Sequence, residues 1–394
     1  MGVSGCAEAV QFSGGVSGRS GARRGHTQPR RDRERGRVIR LMIKYLGSKR
    51  SLVGWIVGVV QQVAAQAPIR TVVDLFSGSA RVAHAFKARG YFVHANDYAA
   101  YAHMLARALV EADRAEYPPE RIQPLLDALM QLPPEHGWFT RAYCEEARYF
   151  RPENGARIEA IRNAIAHYDD PTLQAVLLTS LMLAADKVDS TTGLQMAYLK
   201  EWAPRAYNPL QLRYPPLLHG AGKAYHADAL ELAGALEADL FYLDPPYNQH
   251  SYLANYHVWE TLVLWDCPET YGVARKRVDV KHRKSPFNAR MQAREAMAHL
   301  VSQIRAKHLL VSFNNEGYLT RAELEAILSE WGFVRCFERP YRRYVGALIG
   351  IHNPRGEKVG QVSHTRNKEM LFVATKYKTV ADALEATGAE QPTL

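Results

Sequence analysis

The sequence has few cysteines, and their positions predict neither a disulfide framework nor a metal site. Its 394 residues contain four cysteines, at positions 6, 144, 267 and 336. They are too far apart for a CxxC pair or for the Cys/His spacing of structural zinc. We therefore expect reduced thiols and no bound metal.

Long apolar runs are also missing. The longest, such as Leu52–Val60, fall short of the roughly 20 residues that span a bilayer. The arginines near the N-terminus are not followed by the apolar stretch of a secretory signal. These absences predict no membrane association and a cytoplasmic location.

The positive charge is unevenly distributed. The net charge is +10, but residues 1–41 contain nine arginines against three acidic residues, which leaves +4 for the rest. A local cluster is better evidence for a polyanionic partner: between Arg275 and Arg294 there are eight basic residues and one acid, Asp279. We predict that Arg283 and Lys284 in this cluster contact DNA phosphates. The alternative is a solvated charged loop.

The pattern along the chain predicts an α/β fold with an insertion. Residues 1–41 have the composition of a disordered basic extension, and order begins at Met42, which makes Met42 an alternative translation start. Residues 112–222 interrupt the strand–helix alternation and predict an inserted, largely helical lobe, with helices at Ala156–His167 and Leu173–Lys187. Residues 379–394 are expected to be a C-terminal tail. Outside these regions, the predicted strands are Thr71–Leu75, Tyr91–Ala95, Ala238–Leu243, Lys307–Phe313, Phe333–Glu338 and Met370–Thr375, a mostly parallel sheet closed by an antiparallel pair.

The first chemical motif is Asp74-Leu75-Phe76-Ser77-Gly78-Ser79, where a strand turns into a helix. Gly78 permits close approach of a ligand, and a helix N-terminus offers free N–H donors. The motif does not have the spacing of a GxGxxG fingerprint or the lysine of a P-loop, so an ordinary structural turn is the alternative. Asp97 follows the next strand, where it is placed to accept hydrogen bonds from a ribose or to cap the next helix.

The second motif, Asp244-Pro245-Pro246-Tyr247, follows a buried strand. Two prolines make a stiff turn with outward-facing carbonyl acceptors. Asp244 and the Pro245 carbonyl would accept the two hydrogens of an exocyclic amine on a base, and Tyr247 would stack on that base. The alternative is a Pro-Pro turn with an aspartate cap.

Together with Lys44-Tyr45-Leu46-Gly47-Ser48-Lys49, these motifs resemble in their order the Dam-type DNA adenine N6-methyltransferases, from about Met42 to Tyr377. The resemblance implies a seven-stranded methyltransferase sheet with antiparallel closing strands, formed by residues 42–111 and 223–378, and a target-recognition role for the lobe at 112–222. It implies S-adenosylmethionine as the methyl donor and double-stranded DNA, with a flipped adenine, as the substrate.

The resemblance also assigns residues. Asp244, Pro245, Pro246 and Tyr247 would be catalytic. The cofactor would be bound by Lys44, Tyr45, Gly47, Asp74, Phe76, Ser77, Gly78, Asp97 and Asp228. Together with Arg283 and Lys284 of the basic cluster, the residues predicted to contact DNA are Lys49, Gln195, Lys200, Asn314 and Asn315.

Some questions stay open at the level of sequence. The stretch Gly193–Tyr198 differs from that of solitary Dam-type enzymes, so GATC specificity is not predicted. A cognate restriction endonuclease is an open partner, and we expect a monomer. The competing functions are a cytosine-N4 DNA methyltransferase, an adenine-N6 RNA methyltransferase and a catalytically silent DNA-binding regulator. A serine before Pro-Pro is commoner in the cytosine enzymes, so Asp244 favours adenine.

Overall fold

The structure, a computed structural model, describes residues 42–342, 351–352, 358–360 and 366–387. The predicted disordered extension at residues 1–41 lies outside them. The helices are α1 (Val53–Gln66), α2 (Arg81–Lys87), α3 (Ala100–Ala106), α4 (Pro119–Gln131), α5 (Trp138–Thr140), α6 (Pro152–Ile165), α7 (Pro171–Ala185), α8 (Ala229–Leu232), α9 (Tyr252–Asn255), α10 (His257–Leu264), α11 (Ala293–Gln303), α12 (Arg321–Trp331) and α13 (Lys378–Thr387). The strands are β1 (Thr71–Asp74), β2 (Phe92–Asn96), β3 (Gly222–Tyr225), β4 (Glu237–Leu243), β5 (Thr270–Tyr271), β6 (Lys276–Arg277), β7 (Arg305–Asn314), β8 (Phe333–Arg342), β9 (Ile351–His352), β10 (Lys358–Gly360) and β11 (Arg366–Thr375).

Seven strands form one sheet in the order β3-β2-β1-β4-β7-β11-β8. The strands from β3 to β7 are parallel, whereas β11 runs antiparallel to both β7 and β8. The predicted α/β class, with antiparallel closing strands, is confirmed. Strand β3 was not predicted, because its four residues, Gly-Lys-Ala-Tyr, have too little apolar character to stand out at a sheet edge.

Alternate residues of the central strands supply two hydrophobic cores, one on each face of the sheet. Val72 of β1 belongs to one cluster and Val73 to the other, and both are fully buried. Such continuous burial is the reason why parallel strands have nearly unbroken apolar sequences. Helices α1, α2, α3 and α13 contribute to the first cluster, and α11 and α12 to the second. The protein therefore has helix, sheet and helix layers.

The inserted residues continue the first core. Leu177, Leu181 and Met182 of α7 are fully buried in the same cluster as α3, and the Thr179 hydroxyl lies 3.3 Å from the sulfur of Met104. Helices α6 and α7 begin within a few residues of the predicted positions. The insertion is thus packed against the sheet domain. Its role in target recognition stays a prediction.

Two segments have more structure than their sequences predicted. The basic stretch 275–294 contains strand β6, two short 3-10 turns and the start of α11. The expected C-terminal tail begins with α13, whose Val380 and Leu384 are buried. None of the helices in the described part of the chain combines the length and apolar character needed to cross a membrane.

Candidate active site

One pocket lies at the carboxyl ends of β1, β2 and β4. Because parallel strands end at the same edge of the sheet, the residues that follow them converge there. The pocket is lined by Tyr45, Gly47, Lys49, Asp74, Phe76, Ser77, Gly78, Asp97, Asp228, Asp244 and Pro246, together with the segment His282–Asn288 and other residues. Most of the side chains predicted to act on cofactor or base are therefore brought together.

The turn after β1 leaves one carboxylate oxygen without a protein donor. Asp74 is buried, and its Oδ2 accepts the N–H of Ala83 at 3.1 Å. Its Oδ1 is buried and has no hydrogen-bond partner among the described residues. Burial, followed by the negative charges of Asp244 and Asp97, raises the pKa of Asp74 well above its usual value. A cationic ligand group with N–H donors would satisfy this oxygen and relieve the repulsion.

Gly78 and Asp97 shape the adjoining wall. Gly78 has φ +51°, and a Cβ there would lie 3.0 Å from the Tyr45 ring, so this position requires glycine. Asp97 accepts the N–H of Gly78 at 2.8 Å and that of Ala99 at 2.9 Å. Both oxygens keep one further lone pair for ligand hydroxyls. Burial raises the pKa of Asp97 to about 6, although the two N–H donors oppose the shift.

Asp228 reaches the same pocket from the segment between β3 and β4. Its Oδ1 accepts the N–H of Leu230 at 2.8 Å and so caps the N-terminus of α8. Four acidic side chains, Asp74, Asp97, Asp228 and Asp244, therefore line this one pocket.

A stack of tyrosines supports residues 44–49, which are called the entry segment from here on. The Tyr45 ring packs nearly parallel to Tyr256, with ring centroids 4.7 Å apart, and to Tyr252 at 5.4 Å. The Tyr45 hydroxyl lies 3.1 Å from that of Tyr101. Tyr252, Tyr256 and Tyr101 were not predicted as site residues. The sequence did contain a signal for two of them: Tyr252 and Tyr256 have i, i+4 spacing shortly after residues 244–247, which are called the catalytic loop from here on.

The loop after β4 places Asp244 against Lys49. The Lys49 Nζ lies 2.9 Å from Asp244 Oδ1, and the Lys49 side chain is only 5% exposed. Its Nζ also lies 5.7 Å from the centroid of the Tyr247 ring. Burial raises the pKa of Asp244, and the nearby ammonium of Lys49 opposes that shift.

Tyr247 is held by the last residues of β7 and by the segment that follows this strand. Its hydroxyl accepts a hydrogen bond from Asn314 Nδ2 at 3.0 Å, and its ring lies 4.9 Å from that of Phe313. The Tyr247 carbonyl accepts the N–H of Tyr318 at 2.8 Å. Asn315 instead bridges to β11, since its Oδ1 accepts the N–H of Lys368. Asn314 and Asn315 were predicted as DNA contacts; in the structure Asn314 bonds to Tyr247 and Asn315 to β11.

Comparison with known proteins decides the family. The model of the D12 class N6 adenine-specific DNA methyltransferases matches residues 45–327. The chain is 30% identical over 340 residues to the type II methyltransferase M.NlaIII of Neisseria lactamica, which covers 83% of this chain and 99% of that protein. The chain belongs to this family. The resemblance inferred from the motifs is confirmed.

Two further relatives are longer than this chain. It is 32% identical to the type II methyltransferase M.FokI of Planomicrobium okeanokoites over 323 residues, and 31% identical to the modification methylase StsI of Streptococcus sanguinis over 321 residues. Each alignment covers 77% of this chain but only 50% and 49% of those proteins. The chain spans about half the length of these two relatives.

The structure gives several residues of this methyltransferase roles other than those predicted. Lys44 is not part of the pocket lining: its Nζ pairs with Asp189 at 2.7 Å and so fastens the entry segment to the insertion. Lys49 is buried beside Asp244 and is therefore not placed as a DNA-phosphate contact. Each lysine was assigned from the motif alone, which does not show where its charge is neutralised.

The predicted DNA contacts of Gln195 and Arg283 also need correction. Gln195 is 3% exposed, and its Oε1 accepts the N–H groups of Val258 and Trp259 at the start of α10. Arg283 pairs at 2.8 Å with the fully buried Glu260 and lines the pocket. Gln195 is therefore buried, and the charge of Arg283, a half-buried side chain, is neutralised by an acid of the protein. Lys284 and Lys200 are exposed, and DNA contact by them stays a prediction.

Proposed function

We propose that this chain transfers a methyl group from S-adenosylmethionine to the N6 amine of a flipped adenine at a specific site in double-stranded DNA. One observation carries the proposal: Asp244, which directly follows β4, and Asp74, which ends β1, line the same pocket, and Asp74 Oδ1 has no partner among the described residues. The family to which the chain belongs, the N6 adenine-specific DNA methyltransferases, supports methyl transfer as the type of reaction.

The residues present fit the cofactor. S-adenosylmethionine supplies a methyl group on a positively charged sulfur and also carries an ammonium group. The four carboxyl groups of the pocket favour such a cationic ligand. We assign Asp74 Oδ1 to the ammonium, Asp97 to the ribose hydroxyls and Asp228 to the adenine of the cofactor. Gly47 and Gly78 let the chain lie directly against Tyr252 and Tyr45, so that the tyrosine stack forms part of the pocket wall.

The catalytic loop fits the target base. Asp244 and the carbonyl of Pro245 accept the two hydrogens of the exocyclic amine, and Tyr247, held by Asn314 and Phe313, provides a flat stacking surface. Rate enhancement comes from holding the amine in line with the methyl group and from hydrogen bonds that strengthen as charge develops on nitrogen. Pro246, which lines the pocket, keeps this loop stiff.

The wider biological role follows from the relatives. The relatives are named type II methyltransferase and modification methylase, which supports a role in a restriction–modification system. In such a system the methylation would protect DNA from cleavage by a cognate restriction endonuclease. We further propose that residues 112–222 carry target recognition, with Lys200 among the contacts, and that the protein acts as a monomer in the cytoplasm.

The test is identification of the methylated product. Purified full-length protein is incubated with isotope-labelled methyl donor and either duplex DNA or RNA, and the nucleosides are separated after digestion. We expect N6-methyladenine from duplex DNA. Labelled N4-methylcytosine, or labelling of RNA alone, would replace the proposal with one of the other enzymes. Donor binding without any transfer would indicate a silent DNA-binding regulator.

The matched control is Lys307→Gln. Lys307 forms an ion pair with Asp239 of β4, the strand that precedes Asp244, but it does not line the pocket. It should leave the product and its yield unchanged. Methylation-sensitive sequencing of DNA from cells that express the gene then gives the recognition site.

A further inference from the structure

The entry segment is shaped so that Lys49 points into the catalytic loop. The N–H of Ser48 bonds to the carbonyl of Tyr45 at 3.1 Å, and Gly47 has φ +68°. A Cβ at Gly47 would lie 2.6 Å from the Tyr252 hydroxyl, so only glycine lets this turn sit against the tyrosine stack. The next residues, Lys49–Ser51, form a 3-10 turn. The tight turn and the tyrosine stack together fix the position of Lys49.

The Lys49 ammonium is committed to the catalytic loop. Its side chain is 5% exposed, and its Nζ lies 2.9 Å from Asp244 Oδ1. A lysine that binds DNA phosphates releases counterions from a solvent-facing position. A buried lysine with a carboxylate at this distance is instead part of the protein interior, where the cost of removing its charge from water is offset by its partner.

We propose that Lys49 is a positioning residue for the methyl transfer: its ammonium holds Asp244 in the ionised form, occupies Oδ1, and leaves Oδ2 to accept the hydrogen of the target amine. This inference rests on the proposed function. A protonated Asp244 would carry an O–H donor of its own and would be a weaker acceptor for the amine. The ion pair at Oδ1 therefore affects catalysis by keeping Oδ2, the oxygen that faces the substrate, a strong hydrogen-bond acceptor.

The surroundings of the pair explain why a cation is needed there. Burial raises the pKa of Asp244. Burial and the charge of Asp244 raise the pKa values of Asp74 across the pocket and of Glu369 on β11, whose buried Oε2 has no partner among the described residues. Tyr242 and Tyr247 are the other titratable groups that act on Lys49. Among the described residues, Lys49 is the cation that favours the ionised form of Asp244.

The protonation of Lys49 itself is secure at neutral pH. Burial opposes its charge, but Asp244, followed by Tyr247, Tyr242 and Glu369, outweighs burial and raises the pKa of Lys49 well above its ordinary value. Loss of the ammonium would leave Asp244 buried without the positive charge that opposes burial, and burial favours its neutral form. The fraction of ionised Asp244 would then fall at a given pH.

The test is the pH dependence of single-turnover methylation for Lys49→Gln and Lys49→Arg in the full chain. With saturating donor and duplex, we expect Lys49→Gln to be at least about 10-fold slower at pH 7, in the range of an acid–base contribution. The fall in rate on the acidic side of its pH–rate profile (the acid limb) should begin at a higher pH than in the wild type. The difference in rate from the wild type should therefore become smaller as the pH rises. Lys49→Arg, which keeps the charge, should restore most of the rate and the wild-type limb.

Two further measurements separate the outcomes. A phosphate contact would lower the slope of log affinity against log salt by about one unit in Lys49→Gln, whereas the positioning role leaves that slope unchanged. Lys307→Gln, which removes the Lys–Asp pair between β7 and Asp239 of β4, should show the wild-type pH profile.

The inference is overturned if Lys49→Gln loses rate equally at every pH, if it has a wild-type rate, or if its salt slope falls. If Lys49→Gln does not fold, Lys49→Arg alone decides: an arginine variant with a displaced limb contradicts the proposal. A wild-type protein that forms no N6-methyladenine refutes the proposed function instead, before any variant is compared.

Discussion

Two aspartates on either end of β4 show how differently the protein treats the same side chain. Asp239, near the start of the strand, accepts hydrogen bonds from the N–H groups of Arg70 and Thr71, from the Thr71 hydroxyl and from Lys307. Asp244, just past the end of the strand, has Lys49 as its ion-pair partner, through one oxygen. Asp239 has donors enough to satisfy it, whereas Asp244 keeps accepting capacity for a substrate.

The pKa values of the two carboxyl groups move in opposite directions for this reason. Burial alone would raise the pKa of Asp239, but its hydrogen bonds with Lys307, Arg70 and Thr71 outweigh burial and lower the pKa to about 2. At Asp244 burial outweighs Lys49, and the pKa is raised. An acid with satisfied oxygens stabilises the fold, and an acid with an incomplete set of donors marks the end of the sheet where ligands bind.

The largest expected effect is that substitutions of Asp244 and of Asp239 change the rate of methyl transfer to very different extents. Asp244→Ala should lower single-turnover methylation by at least ~10²-fold, because it removes an acceptor that works mainly in the transition state. Donor affinity should change little. Asp239→Asn is the matched variant: it should keep the rate and lower the free energy of unfolding by about 1 kcal/mol through weakened hydrogen bonds. An Asp244→Ala rate within a few-fold of wild type would refute the assigned role.

The comparison extends to Asp74, whose Oδ1 has no partner among the described residues. Asp74→Asn keeps an acceptor for the N–H of Ala83 but removes the negative charge. We expect donor affinity to fall about 10-fold, the loss of one charge-assisted contact, with a smaller change in the rate at saturating donor. Isothermal titration calorimetry measures the affinity. Unchanged affinity would show that the cofactor ammonium binds elsewhere.

Asp97 gives a prediction in pH. Its pKa is raised to about 6, so its carboxylate is ionised above that pH and neutral below it. Donor affinity should therefore fall several-fold as the pH is lowered through about 6, as hydrogen bonds to the ribose hydroxyls weaken. The variant Asp97→Asn should bind more weakly at pH 7.5 and should lose the part of the dependence near pH 6. A wild-type affinity that is constant from pH 7.5 to pH 5 contradicts the assignment.

The smallest effect concerns neighbouring basic residues, one satisfied by the protein and one not. Lys284→Ala should weaken binding to cognate and scrambled duplexes about equally and flatten the salt dependence by about one log–log unit. Arg283→Ala should instead lower the melting temperature, because it leaves the buried Glu260 without a cation. An unchanged salt slope for Lys284→Ala would make that residue part of a solvated loop.

Much of the fold follows from local sequence. The strands around Val72, Val73 and Phe241 are short, apolar and bounded by turns, and their predicted bounds agree with those of β1 and β4 to within one residue at each end. Short or weakly apolar elements such as β3 and α9 were missed, because their stability comes from neighbours in space. Helix α13 was missed as well: its Val380 and Leu384 gain their burial only when the helix packs onto the core.

The sequence by itself determined the order of the motifs, the glycines that the tight turns require and the residues that follow each strand, because these depend on local backbone geometry and on parallel strands ending at one edge. The tertiary structure alone decided where each charge is neutralised. Lys44, Lys49 and Arg283 bind Asp189, Asp244 and Glu260, which lie 145, 195 and 23 positions away in the chain. Folding brings each pair together, and each positive charge is then neutralised by an acid of the protein instead of by DNA.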